Sequence, residues 1–431
     1  MKKIVIIGSS AAGIAAVEEI RKRNKQDKVV MISDESYPAY CRCLISYFLA
    51  GDIKEKGLIY RDERFFKDNN IELLLGKKAV EIRPKKNIVV IQEKNEKGDI
   101  KKTQVEYDYL ILANGASPKF PDKKGMKKKG VFGFRTVEDA TRISELLPIT
   151  TTACVLGGGL IGLKAAYALR KRGPEVKVII RSKQVLSQVL DQESAYMFQQ
   201  RIEENGIEVI TGTDVAEVIG NGDAKAIKLD SGKVIGCPVI VVGKGVQSNI
   251  DLVKETDIEV GEGIVVNDNM CTNIPNIFAA GDVCETYDPA LNQRVVNALW
   301  PNAVQQGKIA GANVAGEKLI YDGSMGVNSV EFFNLAMISM GITRTPKDGG
   351  YQELTKRGDG FYKKLVLRDN LLVGGIFVGK LDCSGVYLEL IKKKADVSGI
   401  IDELMKPNFS YANAFDLLGS QDSIYLETIK A

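Results

Sequence analysis

Through roughly the first 320 residues, short apolar runs alternate with stretches of helical spacing. Lys2 to Ile7 predicts a buried strand, Ala11 to Asn24 a helix with apolar positions three and four apart, and Lys28 to Ser33 the next strand. The cycle restarts near Thr152, with strand over Ala153 to Leu156, helix over Ile161 to Arg172 and strand over Val176 to Arg181. Such alternation predicts βαβ units and parallel sheets, present twice with little identity between the copies. Each unit has a further apolar strand ending in small residues: Tyr107 to Gly115 in the first, Pro238 to Gly245 in the second. Past about Gly316 the pattern changes. Tyr362 to Leu367 and Leu371 to Val378 read as strands, Gly385 to Lys393 and Ser398 to Met405 as helices, and no glycine fingerprint accompanies them.

A chain of 431 residues is long for one core. With 59 basic and 55 acidic residues the net charge is only +4, which argues against a dedicated nucleic-acid binder. The run Lys127-Lys128-Lys129 reads as a solvated loop. Met1-Lys2-Lys3 and the apolar stretch up to Val17 mimic a signal peptide, but Gly8 and Gly13 interrupt it and Glu18, Glu19 and Arg21 follow. It is also too short to span a bilayer. The expectation is a cytoplasmic protein with no membrane or nucleic-acid partner. Seven cysteines, an odd number, do not suggest a disulfide framework, and the lack of any histidine removes most zinc chemistry. No metal site is expected.

Chemistry concentrates in the turns. Gly8-Ser9-Ser10-Ala11-Ala12-Gly13 follows a strand and opens a helix, so its small residues would let a pyrophosphate approach the helix N-terminus. Ser10 replaces the usual middle glycine. The acidic pair Asp34-Glu35, just past the next strand, stands where a ribose-hydroxyl acceptor belongs. In the second unit Gly157, Gly159 and Gly162, with Leu160 and Ile161 between, form a complete G-x-G-x-x-G. Its adjacent strand ends at Gly243 and Gly245. Two such loops about 150 residues apart are far more specific than either alone.

The stretch Thr272 to Asp282, ending Ala279-Ala280-Gly281-Asp282, resembles the second FAD fingerprint of the pyridine nucleotide-disulfide oxidoreductase family. Ala113-Asn114-Gly115 resembles that family's Ala-Thr-Gly turn, and Ala303 to Gly316 its following helix. The resemblance covers the whole chain. It implies an α/β fold with two Rossmann-like dinucleotide-binding domains and an α+β C-terminal dimerisation domain. FAD would sit on a discontinuous domain, 1–118 and 247–322, with NAD(P) on 119–246 and the homodimer interface on 323–431.

Tyr40-Cys41-Arg42-Cys43-Leu44-Ile45-Ser46-Tyr47 places the chain near the single-cysteine branch, which includes coenzyme A-disulfide reductases, NADH oxidases, and nitrite-reductase-like and rubredoxin-reductase-like flavoproteins. By that resemblance Cys43 is the redox thiol and Arg42 a contributor to the FAD site. Read on its own, Cys43 is equally a buried small hydrophobe. Cys41 is left open between resolving thiol and packing residue, since one intervening residue is unlike the family's Cys-x4-Cys disulfide. Several positions depart from relatives. Ala11 stands where the peroxidase subgroup has a histidine, and the C-terminal histidine base of the two-cysteine reductases has no counterpart. Lys164 stands where many relatives carry glutamate beside the nicotinamide. Ile180 occupies the usual acidic position for NAD, and Arg181, Ser182 and Lys183 follow, an arrangement that favours NADPH. Tyr411 reads as a core-packing tyrosine, with a loose resemblance to a residue that reaches a partner's active site. The resulting expectation is an FAD enzyme that takes hydride from NAD(P)H and passes electrons to a small disulfide or persulfide acceptor, or to oxygen. A small redox protein as acceptor is the alternative.

Overall fold

The computed structural model describes residues 1–94, 98–346 and 349–419. Three five-stranded sheets organise it. In the first, Lys3–Ile7 lies between Lys28–Ile32 and Tyr109–Leu112, with Ile71–Leu74 and Ile277–Ala279 at the two edges, all parallel. Ile4, Val5, Ile6 and Ile7 are buried without alternation, as a strand covered on both faces requires. The edge strand Ile277–Ala279 pairs with Tyr109–Leu112 across more than the whole second unit. The second sheet repeats the plan with Ile207–Thr211, Glu175–Ile180, Thr152–Leu156, Val239–Val242 and Val131–Phe132. A short antiparallel ladder, Ala116–Pro118 on Val246–Ser248, carries the chain out of the first unit and back.

Helix Ala11–Arg23 packs on Trp300–Val314 with the backbones nearly touching. A Cβ on Gly307 would stand 2.2 Å from the Ala12 carbonyl oxygen, and one on Gly311 2.4 Å from that of Ala16. Small residues four apart on both helices permit this approach. The helix read from Ala303 therefore starts a turn earlier, at Trp300, with Pro301 in its first turn where a missing N–H costs nothing.

The third sheet is antiparallel, in the order Val327–Phe332, Leu335–Gly341, Leu371–Val378, Phe361–Arg368, Tyr351–Gly358. Its Phe332, Met337, Tyr362 and Ile376 share one apolar core with Leu163, Ala166 and Phe198 of the second unit. Asp191 caps helix Gln192–Glu204 and also accepts the Tyr362 hydroxyl at 2.6 Å, while buried Lys364 lies 3.6 Å from it. Two details differ from the sequence expectation. Ser398 to Met405 is a 3-10 turn followed by the short helix Ile401–Leu404. Tyr411 is half-exposed, because the neighbouring Phe409 takes the buried place against Tyr387 and leaves Tyr411 only Phe415 to pack on. Among the described residues no helix is long and apolar enough to cross a membrane.

Gly307→Val is expected to lower stability by roughly 1–3 kcal/mol or more, because its branched side chain meets backbone that cannot rotate away. Thermal unfolding of the variant against wild type checks this. Ala303→Gly, in the same helix, removes one buried methyl without driving a side chain into backbone and is expected to cost about 1 kcal/mol.

Candidate active site

The two α/β units enclose a cleft of about 940 Å³. Gly8, Ser10, Ala11 and Ala12 form one wall, Asp34 and Glu35 the far end, and Ala113, Asn114 and Gly115 the floor. Gly281 and Asp282 complete it, held beside Ala12 by the close helix pair: a Cβ on Gly281 would lie 3.1 Å from that of Ala12. Gly8 has φ +111°, and a Cβ there would meet the Ala113 carbonyl oxygen at 2.1 Å, so only glycine fits. Gly13 faces the other way and packs on the Gly8 carbonyl.

Both glycine-loop helices start without a side-chain cap. Thr136 caps Val137–Leu146 with its side chain and Asp191 caps Gln192–Glu204. Neither Ala11–Arg23 nor Leu160–Lys171 has a side-chain cap or an acidic residue in its first turn. Their first-turn N–H groups remain available to an anion. A Cβ on Gly159 would find nothing within 4 Å, so the second loop also has room for a phosphate. Asn114 Oδ1 is buried and lacks a hydrogen-bond partner. These features fit a dinucleotide. The Asn114 amide nitrogen donates to the Asn249 carbonyl at 2.7 Å, and Asn249 returns the bond to the Asn114 carbonyl at 2.7 Å. Asparagine thus ties the turn to the chain returning from the second unit, a bond that a threonine hydroxyl is too short to copy.

Among the cleft's charged side chains Glu35 pairs with Arg42 and Asp282 with Arg135. Glu35 accepts from both the Arg42 guanidinium and the Tyr40 hydroxyl. Arg42 Nη1 also donates to the Arg135 carbonyl at 3.1 Å, and Arg135 Nη2 meets Asp282 Oδ2 at 2.6 Å. Burial alone would pull Arg42 down, but the surrounding charges, Tyr40 and Glu35 foremost, hold it above its ordinary value. The sequence reading missed Arg135. Its signal was the capping box of Thr136 and Asp139 immediately after it, with Asp139 also accepting the Arg135 N–H at 2.9 Å. It also missed Gln306, a buried side chain whose Oε1 accepts the Gly281 N–H at 2.8 Å, and the lining residues Lys77, Phe120 and Trp300. Nothing in local sequence marks those last three.

Cys43 is exposed in the cleft wall, not buried as a packing residue. It lies in the 3-10 turn Arg42–Leu44, which leads into helix Ile45–Ala50. That helix packs on the second unit: Ile45 and Leu49 join the core of Leu163 and Ala166, and Arg172 Nη1 donates to the Leu49 carbonyl at 3.0 Å. The thiol of the first unit is thereby set beside Leu160, Ile161 and Lys164 of the second. Cys41 precedes the turn, its N–H donating to the Leu58 carbonyl at 2.8 Å and its carbonyl accepting from the Leu44 N–H at 3.1 Å. The neighbouring Cys43 side chain, with help from Lys164, lowers the Cys41 pKa below the ordinary thiol value, and the same proximity raises that of Cys43.

The other predicted residues of the second loop do not reach this cleft. Gly157 (φ +117°), Gly162 and Gly243 pack backbone to backbone, with a Cβ on Gly157 only 2.4 Å from the Gly243 oxygen. Gly159, Gly245 and Arg181 also lie outside the wall, so only Leu160 and Ile161 of that loop line it. Ile180 is buried beneath Gly158, and Arg181 is the first exposed side chain after it.

Two dinucleotide-type units facing each other across a thiol-lined cleft define an NAD(P)H-dependent flavoprotein oxidoreductase. The chain belongs to the pyridine nucleotide-disulphide oxidoreductase family, which residues 2–307 match, and residues 327–395 match the rubredoxin NAD+ reductase C-terminal domain. It is 35% identical over 321 residues to an NADH oxidase of Methanocaldococcus jannaschii, covering 73% of this chain and 70% of that one. It is 29% identical over 399 residues to a nitrite reductase [NAD(P)H] of Bacillus subtilis, covering 92% of this chain but only 48% of the relative, about half its length. The solved structure of an NAD-dependent persulfide reductase from A. fulgidus superposes with a TM-score of 0.85 at 25% identity, over 93% of this chain and 78% of that one.

The charged or titratable groups facing the thiols are Lys164, Asp282 and Tyr60. Lys164→Met removes the cation that favours the thiolate, so the pH profile of alkylation is expected to move upward. Iodoacetamide labelling of Cys41 and Cys43 across pH, read by peptide mass, checks the direction.

Proposed function

We propose that this enzyme holds FAD along the Gly8–Gly13 loop and the Gly281–Asp282 turn, binds NAD(P)H on the second glycine loop, and reduces a small disulfide or persulfide through Cys43. The observation that carries this reading is an exposed thiol set between the two loops by a helix anchored on the nicotinamide-side unit. The first-turn amides of helix Ala11–Arg23 would take the FAD pyrophosphate, Glu35 a ribose hydroxyl, and Asp282 with Arg135 the flavin side of the chain. FAD, when bound, supplies the exchange of electron pairs between nicotinamide and thiol. The protein's own part is to orient the two partners around the exposed Cys43 thiol. Lys164, a cation where an anion is common, suits a negatively charged acceptor. We further infer that two copies associate through residues 323–431, and light scattering tests that state.

A second reading has a specific observation behind it, the match of residues 327–395 to the rubredoxin reductase C-terminal domain. In it the electrons leave singly to a small redox protein and Cys43 is a bystander. Cys43→Ser separates the two readings. Turnover of coenzyme A disulfide with NADPH should fall to background while flavin binding and its yellow spectrum persist. Unchanged turnover of that acceptor sinks the thiol reading.

For the nucleotide we propose NADPH over NADH, supported by buried Ile180 at the acidic position and exposed Arg181 beside it. Stopped-flow reduction of the bound flavin should be faster with NADPH, and Arg181→Glu should raise the KM for NADPH roughly tenfold, about 1.4 kcal/mol of lost pairing. Faster reduction by NADH in wild type would overturn the preference.

A further inference from the structure

We propose that Arg135 is a positioning residue, which fixes the Cys43 turn against the flavin side of the cleft through the Asp282 carboxylate. This rests on the FAD placement and the thiol route above, and it names what holds the two together. Arg135 is fastened at three points, each on a different segment. Its Nη2 meets Asp282 Oδ2 at 2.6 Å, on the turn that follows edge strand Ile277–Ala279. Its N–H donates to Asp139 at 2.9 Å, within the capping box of helix Val137–Leu146. Its carbonyl accepts from Arg42 Nη1 at 3.1 Å, and Arg42 directly precedes Cys43 in the 3-10 turn.

Arg42 is held on its other side by Glu35 and, at 3.0 Å, by the Tyr40 hydroxyl. A continuous line of polar contacts therefore runs from Glu35 through Arg42 and Arg135 to Asp282. The Arg135 and Asp282 side chains are 17% and 16% exposed, so solvent screens this pair far less than a surface one. Truncating one partner leaves the other charge unmatched, which costs more than the pair itself is worth. The guanidinium also reaches the floor of the cleft, where a Cβ on Gly115 would stand 3.7 Å from Nη2. Helix capping does not need this side chain, because Thr136 and Asp139 complete the cap between them. Nor does the second glycine loop, whose Gly157, Gly162 and Gly243 are packed on one another. Loss of the guanidinium should therefore disturb the contact of flavin with thiol and spare the nicotinamide side.

The test compares full-length Arg135→Met and Arg135→Lys with Arg142→Met, a control cation that lies over the Phe132 ring outside the cleft wall. FAD binding to the flavin-free protein, read by quenching of flavin fluorescence, should weaken roughly tenfold to a hundredfold in Arg135→Met. Arg135→Lys should restore part of it, and Arg142→Met should bind as wild type does. Added to Asp282→Asn, Arg135→Met should weaken binding by less than about threefold, since both changes break the same pair. With FAD saturating, anaerobic stopped flow of Arg135→Met should show flavin reduction by NADPH near the wild-type rate. Its reoxidation by coenzyme A disulfide should slow about tenfold. The proposal is overturned if FAD affinity is unchanged in Arg135→Met, if the losses with Asp282→Asn are additive, or if both half-reactions slow equally. Those results leave the FAD site and the role of Cys43 standing. Wild type that binds no FAD, or Cys43→Ser that turns over normally, removes the reading beneath the proposal and the proposal with it.

Discussion

The near-contact of helices Ala11–Arg23 and Trp300–Val314 is the constraint on which the site depends. Ala12 and Ala16 meet Gly307 and Gly311 with no side chain between them. That draws together the start of the chain and a segment about 300 residues later, and it sets Gly281 and Asp282 beside the first glycine loop. Dispersion between closely packed backbones is worth little per atom pair but accumulates along four turns of helix. The cost of a bulkier residue there is correspondingly steep.

A second constraint acts across the units. The thiol-bearing segment begins in the first unit by sequence but contributes Ile45 and Leu49 to the core of the second, which also takes Phe332, Tyr362 and Ile376 from the third sheet. One apolar core therefore fixes the distance between Cys43 and Lys164 and ties the C-terminal sheet to the same body. Electrostatics then adjusts what packing has placed. Carboxylates in the cleft are matched by Arg42 and Arg135, while Lys164 is left to favour the thiolate.

The substitutions that set this chain apart from its relatives have separate physical consequences. Asn114 gains a reciprocal amide clasp with Asn249 at the crossing between units. Ile180 fills the space under Gly158 where an acceptor would otherwise stand. Lys164 adds a cation to the cleft wall that Cys43 also lines.

Most of the fold was legible from sequence, because βαβ periodicity and glycine turns are local properties. The strands at Lys3–Ile7, Thr152–Leu156 and Leu371–Val378 fall within a residue or so of their expected positions. The first glycine loop, Asp34-Glu35, Ala113 to Gly115 and Gly281-Asp282 were all named from sequence, and all but Gly13 line the cleft. What sequence did not reveal is set by contacts between distant segments. Arg135 matters because it reaches Asp282, Gln306 because it holds the Gly281 amide, and Tyr411 is outside because Phe409 occupies the core. From sequence Cys41 stayed open between a resolving thiol and a packing residue, and Cys43 between a redox thiol and a buried small hydrophobe. Only the tight turn at Arg42, held against the second unit by its neighbouring helix, puts Cys43 in the cleft wall.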